Sequence, residues 1–89
     1  MKYRKKPVVI EAVRWTGTNT REMAEFAGKA LVNLEAVNKN IGTNLLIQTL
    51  EGTMMARVGY WIIRGVKGEF YPCEPDIFEA TYEKVEEGK

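Results

Sequence analysis

The sequence predicts a single α+β domain spanning all 89 residues, with a mainly antiparallel sheet of about five to six strands. Short β-branched and aromatic runs recur along the chain between glycine-containing turns, as is typical of antiparallel strands. One stretch, Thr20–Ala27, instead carries apolar residues at helical spacing. A second capping pattern, at Asp76, predicts a short C-terminal helix. A chain of this length can bury one modest core.

The N-terminal part begins with a basic head, residues 1–6, whose cations are Lys2, Arg4, Lys5 and Lys6. Residues 8–15, VVIEAVRW, form the first predicted strand. Because apolar residues lie on both of its faces, we expect this strand to be central and covered on both sides. Asn19 is the expected N-cap of the amphipathic helix, and Gly28 is the expected C-cap.

The middle of the chain gives a mixed signal followed by a clear hairpin. Residues 30–37 fit either a strand or a helix, and residues 38–44 are turn-like. Residues 45–50 predict a strand that turns at 51–52 and returns antiparallel over 53–57.

The C-terminal part predicts a second hairpin, with strands over 60–64 and 69–73 joined by a turn at 65–68. This turn would place Arg64 opposite Glu69. The short helix capped by Asp76 should direct Ile77, Phe78 and Tyr82 toward the sheet. Residues 82–85 predict a further edge strand, and residues 86–89 are expected to fray.

The predicted core contains apolar residues from both halves of the chain. They are Val9, Val13, Phe26, Leu46, Ile47, Ile63 and Phe78.

Composition excludes several classes of function. The chain has no histidine and no serine, which excludes a Ser-His-Asp triad and removes the commonest zinc ligand. One cysteine cannot form an internal disulfide. A net charge of +1 gives no overall attraction to nucleic acid. No apolar run approaches the ~20 residues that span a bilayer, so we expect a cytoplasmic protein with no membrane partner.

Two candidate catalytic groups have simpler interpretations. Cys73 is either a reactive thiol or a small apolar residue at a strand end, and without a histidine base the structural interpretation is favoured. Glu11 is the only acid inside an apolar strand, and the favoured explanation is an ion pair with Arg14 or Arg57, or simple solvation at a gap in the cover. We therefore predict no catalytic residues and no cofactor.

A cluster of acids near the C-terminus does not match a metal loop. Its members are Glu69, Glu74, Asp76 and Glu79. Helix capping explains Asp76 and Glu79, and a pair with Arg64 explains Glu69, so no metal site is predicted.

The aromatic residues of the C-terminal hairpin are the favoured binding site. We predict a patch of aromatic and basic side chains consisting of Trp15, Tyr60, Trp61, Arg64, Lys67 and Tyr71. Such a surface suits base stacking or a protein anchor. The other possibility is that the second sheet face is covered, or closes as a self-dimer.

Two segments carry a resemblance to a known group of proteins. Residues 59–82, GYWIIRGVKGEFYPCEPDIFEATY, and residues 2–17, KYRKKPVVIEAVRWTG, resemble small uncharacterised proteins encoded by tailed bacteriophages and prophages. Those proteins usually have a Pro-Gly-Asp turn where this chain has Val58, Gly59 and Tyr60. The resemblance implies a phage origin and a host-cytoplasmic location. It implies no established activity.

Together these observations predict a non-enzymatic phage accessory protein that binds a partner. The partner is a host or phage protein, with a homodimer possible, or a small anionic ligand such as a nucleotide. The first alternative is nucleic-acid binding through the cations of the basic head, and the second is an enzyme that uses Glu11 or Cys73.

Overall fold

A computed structural model describes residues 1–4, 7–40 and 42–85, and within these ranges the chain forms five strands and three α-helices. In chain order the elements are β1 (Glu11–Arg14), α1 (Thr20–Ala27), a 3-10 turn (Gly28–Ala30), α2 (Leu34–Lys39), β2 (Leu45–Thr49), β3 (Gly52–Ala56), β4 (Trp61–Arg64), β5 (Phe70–Cys73) and α3 (Pro75–Thr81). Both sheets are antiparallel. The predicted α+β class is confirmed. The predictions for Lys5, Lys6 and residues 86–89 lie outside the described residues.

The larger sheet has the strand order β1-β4-β5, and β2 pairs with β3 in a separate two-stranded sheet. The expectation of a central first strand is therefore wrong, because β1 lies at an edge. It is also shorter than predicted, since it begins at Glu11 and residues 7–10 belong to no strand. Val9 accordingly lies 74% exposed instead of in the core.

Helix α1 has the predicted bounds, but its first residues are held differently from the expected cap. The Asn19 amide donates to the Arg14 carbonyl and to the Glu22 carboxylate, both at 2.8 Å. Its side-chain oxygen accepts from the Thr16 amide at 2.9 Å. Asn19 thus ties the start of α1 to the end of β1 instead of capping the helix. The ambiguous residues 30–37 resolve into the 3-10 turn and α2, with Val37 buried.

Both hairpins are shifted by one residue from the sequence expectation. Thr49 pairs with Gly52, so the first turn is residues 50–51. In the second hairpin Arg64 pairs with Phe70, while the Gly65 amide donates to the Glu69 carbonyl at 2.8 Å. The turn is therefore three residues long, and Gly68 takes the left-handed conformation (φ +81°) that such turns require.

The C-terminal segment departs from the prediction at two points. Helix α3 begins at Pro75, whose fixed φ suits the first helical position, so Asp76 lies in the first turn and not at the N-cap. Residues 82–85 form no strand.

The core lies between α1, the β2–β3 hairpin and one face of the larger sheet. Its largest fully buried side chains are Trp15, Met23, Leu45, Ile47 and Ile62. Of the predicted core, Ile47 and Ile63 are buried and Val9 is exposed. The remaining four, Val13, Phe26, Leu46 and Phe78, are half-buried.

Candidate functional site

The two faces of the larger sheet have different neighbours. Val13 pairs with Ile62, and these two side chains join the core, so we call their side the core face. Strand alternation places the flanking residues on the opposite side, which we call the second face. The residues of the second face are Ala12, Arg14, Trp61, Ile63, Tyr71 and Cys73.

Helix α3 covers part of the second face through aromatic rings. The Phe78 ring stacks on Trp61 with centroids 4.2 Å apart and planes within 9°. Tyr82 follows one turn later, its centroid 5.0 Å from that of Phe78. Ile63 is buried although it points away from the core, as this cover requires. No residue of α3 is itself fully buried, so the helix is attached mainly by these rings.

Tyr71 connects the sheet to the end of this aromatic cover. Partial burial, a hydrogen bond with Tyr82 and the nearby Glu69 carboxylate together raise the pKa of Tyr71 to about 12. All three effects favour the neutral phenol over the phenolate. Tyr71 therefore stays a neutral hydrogen-bonding group at ordinary pH and is not a general base.

A groove of about 1430 Å³ runs along residues 7–10 and β1. One part follows the edge of β1 toward Phe26. The other part, the second-face groove, has Trp61 and Tyr71 at its floor. Its far wall is Phe78 with residues 81–85, and the β4–β5 turn lies at one end. Large apolar side chains around the groove are exposed, namely Val8, Val9, Val66 and Val85.

The charged side chains along the groove are mainly acidic. Among the described lining residues, Glu69 and Glu83 border the second-face groove with a single cation, Lys84, while Glu11 lies on the core-face side. Glu11 is already ion-paired with Arg64. A groove with this balance does not favour an anionic ligand.

One polar atom of the groove floor is unsatisfied. Across the described ranges, Trp61 Nε1 is the one buried side-chain nitrogen or oxygen that has no hydrogen-bond partner. Buried indole N–H groups usually find an acceptor, and leaving such a donor unpaired costs about 1–3 kcal/mol. The second tryptophan differs, because Trp15 Nε1 donates to the Thr43 carbonyl at 3.0 Å.

The structure separates the six residues of the predicted patch. Trp61 and Tyr71 share the second face. Trp15 is fully buried in the core, and the half-buried Tyr60 packs against that core. The predicted surface therefore keeps its two sheet aromatics and loses these two.

The two predicted patch cations do not border the groove. Arg64 points to the core face, where it pairs with Glu11 and lies over the Phe26 ring at 5.3 Å. Lys67 is exposed in the β4–β5 turn. The guanidinium nearest the aromatic floor belongs to Arg14, 6.0 Å from the Trp61 ring centroid. The predicted pairs of Glu69 with Arg64 and of Glu11 with Arg14 or Arg57 are wrong, since Arg64 pairs with Glu11.

The sequence analysis did not predict the wall of the groove that residues 7–10 form. Residues 8–10 were predicted to belong to a buried strand because of their β-branched content, and no local signal indicates that they are unpaired. Phe78 and Tyr82, by contrast, were expected to face the sheet from their spacing, and they form the opposite wall.

Of the two candidate catalytic groups, Cys73 has a thiol that its surroundings do not activate. Burial and the neighbouring Glu74 and Asp76 carboxylates raise the pKa of the Cys73 thiol, which opposes thiolate formation. No group of three or more potential metal ligands comes together in the ranges that the structure covers. Glu69 instead accepts from the Lys67 amide at 2.9 Å, and Asp76 accepts from the Ile77 amide at 2.9 Å.

The basic head is accessible where it is described. Lys2 and Arg4 are exposed, while Lys5 and Lys6 lie outside the described residues. None of the helices in the described ranges is both long and apolar enough to cross a membrane.

No protein-family model, curated protein or solved structure matches the chain.

Proposed function

We propose that this chain is a non-enzymatic binding protein whose second-face groove receives an extended segment of a protein partner. One observation carries the proposal: the groove joins an aromatic floor to a mainly acidic rim. An apolar peptide with Lys or Arg side chains complements both features. In keeping with the resemblance of its two ends, we propose that the chain is a phage accessory factor acting in the host cytoplasm.

Three features support a peptide as the occupant. The groove is open instead of closing into a small cavity, and its lining extends from the β4–β5 turn over Trp61 and Tyr71 to residues 81–85. Exposed valines at 66 and 85 leave apolar area for side chains to cover. The Trp61 and Tyr71 rings form the floor, and aromatic rings are preferred anchors for the side chains of a protein partner.

The charge distribution argues against the small anionic ligand. Arg64 is engaged by Glu11 on the other face, and Lys67 does not line the groove. A nucleotide phosphate placed beside Glu69 and Glu83 would be repelled.

Nucleic-acid binding through the head is the second candidate. The exposure of Lys2 and Arg4, with Tyr3 between them, favours it.

A displayed library of random twelve-residue peptides, selected on the immobilised protein, tests the groove. We expect enriched sequences that combine apolar residues with Lys or Arg. The best peptide, synthesised and titrated by calorimetry, should bind Val66→Lys at least tenfold more weakly, because a cation then occupies the end of the groove. Val32→Lys is the matched control, since Val32 is also exposed but does not line the groove.

Either of two results would overturn the proposal. One is enrichment of acidic peptides. The other is equal affinity of the two lysine variants for the selected peptide.

A further inference from the structure

The outer edge of β1 has unpaired backbone groups. The Trp15 amide donates to the Tyr60 carbonyl at 2.8 Å, so residue 15 faces β4. In an antiparallel ladder alternate residues face opposite edges, which directs the peptide groups of Val13 and Glu11 to β4 and those of Ala12 outward. The Arg14 carbonyl also points outward, because the Asn19 side chain binds it. No second strand covers Ala12 in the described part of the chain.

The segment before β1 has the composition of a strand but pairs with nothing among the described residues. Residues 7–10 read Pro-Val-Val-Ile, and Val8 and Val9 are exposed. Natural edge strands are usually protected by charges, bulges or covering elements. Here Pro7 stands at the start of the segment, and the next three residues carry no charge.

A partner strand at this edge would cover apolar surface. Val8 is 51% and Val9 74% exposed, and both directly precede the open edge of β1. An exposed apolar edge with unpaired peptide groups is a template for pairing with another strand.

We infer that the β1 edge, together with residues 8–10, pairs antiparallel with the same segment of a second copy of this chain. The two β4-centred sheets would then form one six-stranded sheet about a two-fold axis perpendicular to it. This inference goes beyond the proposed function, because it concerns the open edge and not the peptide in the second-face groove.

A second copy fits this edge better than an unrelated strand for two reasons. The edge is self-complementary, since each copy supplies the same outward peptide groups and the same apolar segment. Its two charged side chains, Glu11 and Arg14, have opposite signs, and Glu11 is ion-paired with Arg64 within each copy, so two copies meet without net repulsion.

The two-fold axis also fixes which residues meet. Outward-facing residues pair with outward-facing residues, so even-numbered positions such as Ile10 and Ala12 oppose even-numbered positions. Both second faces then lie on the same side of the joined sheet, where Val8 and Ile10 of each copy extend the groove wall of the other.

Sedimentation velocity between about 1 and 100 µM tests the inference. The wild-type chain should sediment with twice its 10.1 kDa mass at the upper end of this range. Val9→Lys places a charge at the edge and should weaken self-association at least tenfold. Val66→Lys is the matched control, because Val9 is 74% and Val66 71% exposed and both gain the same charge. It should dimerise like the wild type although it loses the selected peptide.

Disulfide trapping gives a second measurement that does not depend on the lysine variants. In a Cys73→Ala background, the double variant Ile10→Cys/Ala12→Cys should form an intermolecular disulfide under mild oxidation, because one of these outward positions lies opposite position 10 or 12 of the second copy, and Val32→Cys should not. A wild type that stays monomeric at all concentrations would overturn the inference. So would equal association of Val9→Lys and Val66→Lys, or trapping that is no faster at positions 10 and 12 than at 32.

Discussion

Replacing Phe78 by alanine tests how α3 is held to the sheet. A fully buried Phe→Ala change costs about 3–5 kcal/mol, and Phe78 is only half-buried, so about half of that applies. The lost stack on Trp61 adds about 0.5–1.5 kcal/mol. We therefore expect Phe78→Ala to lower the free energy of unfolding by about 2–4 kcal/mol.

Thermal and urea unfolding, followed by circular dichroism, measure this loss. For a domain of this size the melting temperature should fall by roughly 10–30 °C. Trp61 emission should shift to longer wavelength because its covering ring is gone, while Trp15 remains buried. A Trp61→Phe background identifies which tryptophan responds.

Ile77→Ala is the control on the same helix. Ile77 is 52% exposed, so its loss should cost no more than about 1 kcal/mol. If Phe78→Ala costs no more than Ile77→Ala and Trp61 emission does not move, the Phe78 ring does not hold the helix, and the described groove wall is wrong.

Three further predictions concern the thiol, the phenol and the head. Cys73→Ala should fold and keep peptide binding, because a thiol with a raised pKa has no reactivity to lose. Iodoacetamide should modify the native thiol slowly. Rapid modification near pH 7 would contradict this prediction. The pKa of Tyr71, about 12, is above its unfolded value of ~10. The neutral phenol therefore stabilises the fold fully below pH ~10, and this stabilisation is lost as pH rises from 10 toward 12. In the Cys73→Ala background, Tyr71→Phe should flatten the fall of the urea midpoint over that range. An unchanged slope would refute the Tyr71 assignment. Deleting residues 1–6 should remove any affinity for a 20-nucleotide DNA or RNA, and wild-type affinity should fall as salt rises from 50 to 200 mM; affinity that survives the deletion would exclude the head.

Local signals were sufficient for α1 and for the existence of both hairpins. The spacing of Met23, Phe26 and Ala27 specifies one helical face, and Gly28 follows it. The register of the second hairpin was missed by one residue, because a three-residue turn with left-handed Gly68 replaces the expected four-residue turn. That shift moves Arg64 away from Glu69, and the charge pattern of the groove changes with it.

The position of a strand within a sheet was not predictable from its composition. Residues 8–15 have apolar side chains on both faces, which usually indicates a central strand. Only long-range pairing shows that β1 is an edge, because it pairs with β4 on one side and with no other described strand. The aromatic pair Trp61 and Tyr71 was foreseen from alternation, whereas the burial of Trp15 depends on contacts with Thr43 and α1, which lie far along the chain.

The two tryptophan indole groups allow the most direct test of the proposed groove. A ¹H–¹⁵N correlation spectrum should contain two indole signals. The Trp15 indole N–H donates a hydrogen bond to the Thr43 carbonyl, whereas the Trp61 indole N–H has no acceptor. Titration with the selected peptide should shift the Trp61 indole signal and the amides of residues 66 and 81–85, and leave the Trp15 indole signal in place. A bound peptide that leaves the Trp61 signal unchanged, or that shifts Trp15 as strongly, would show that the second-face groove is not its binding site.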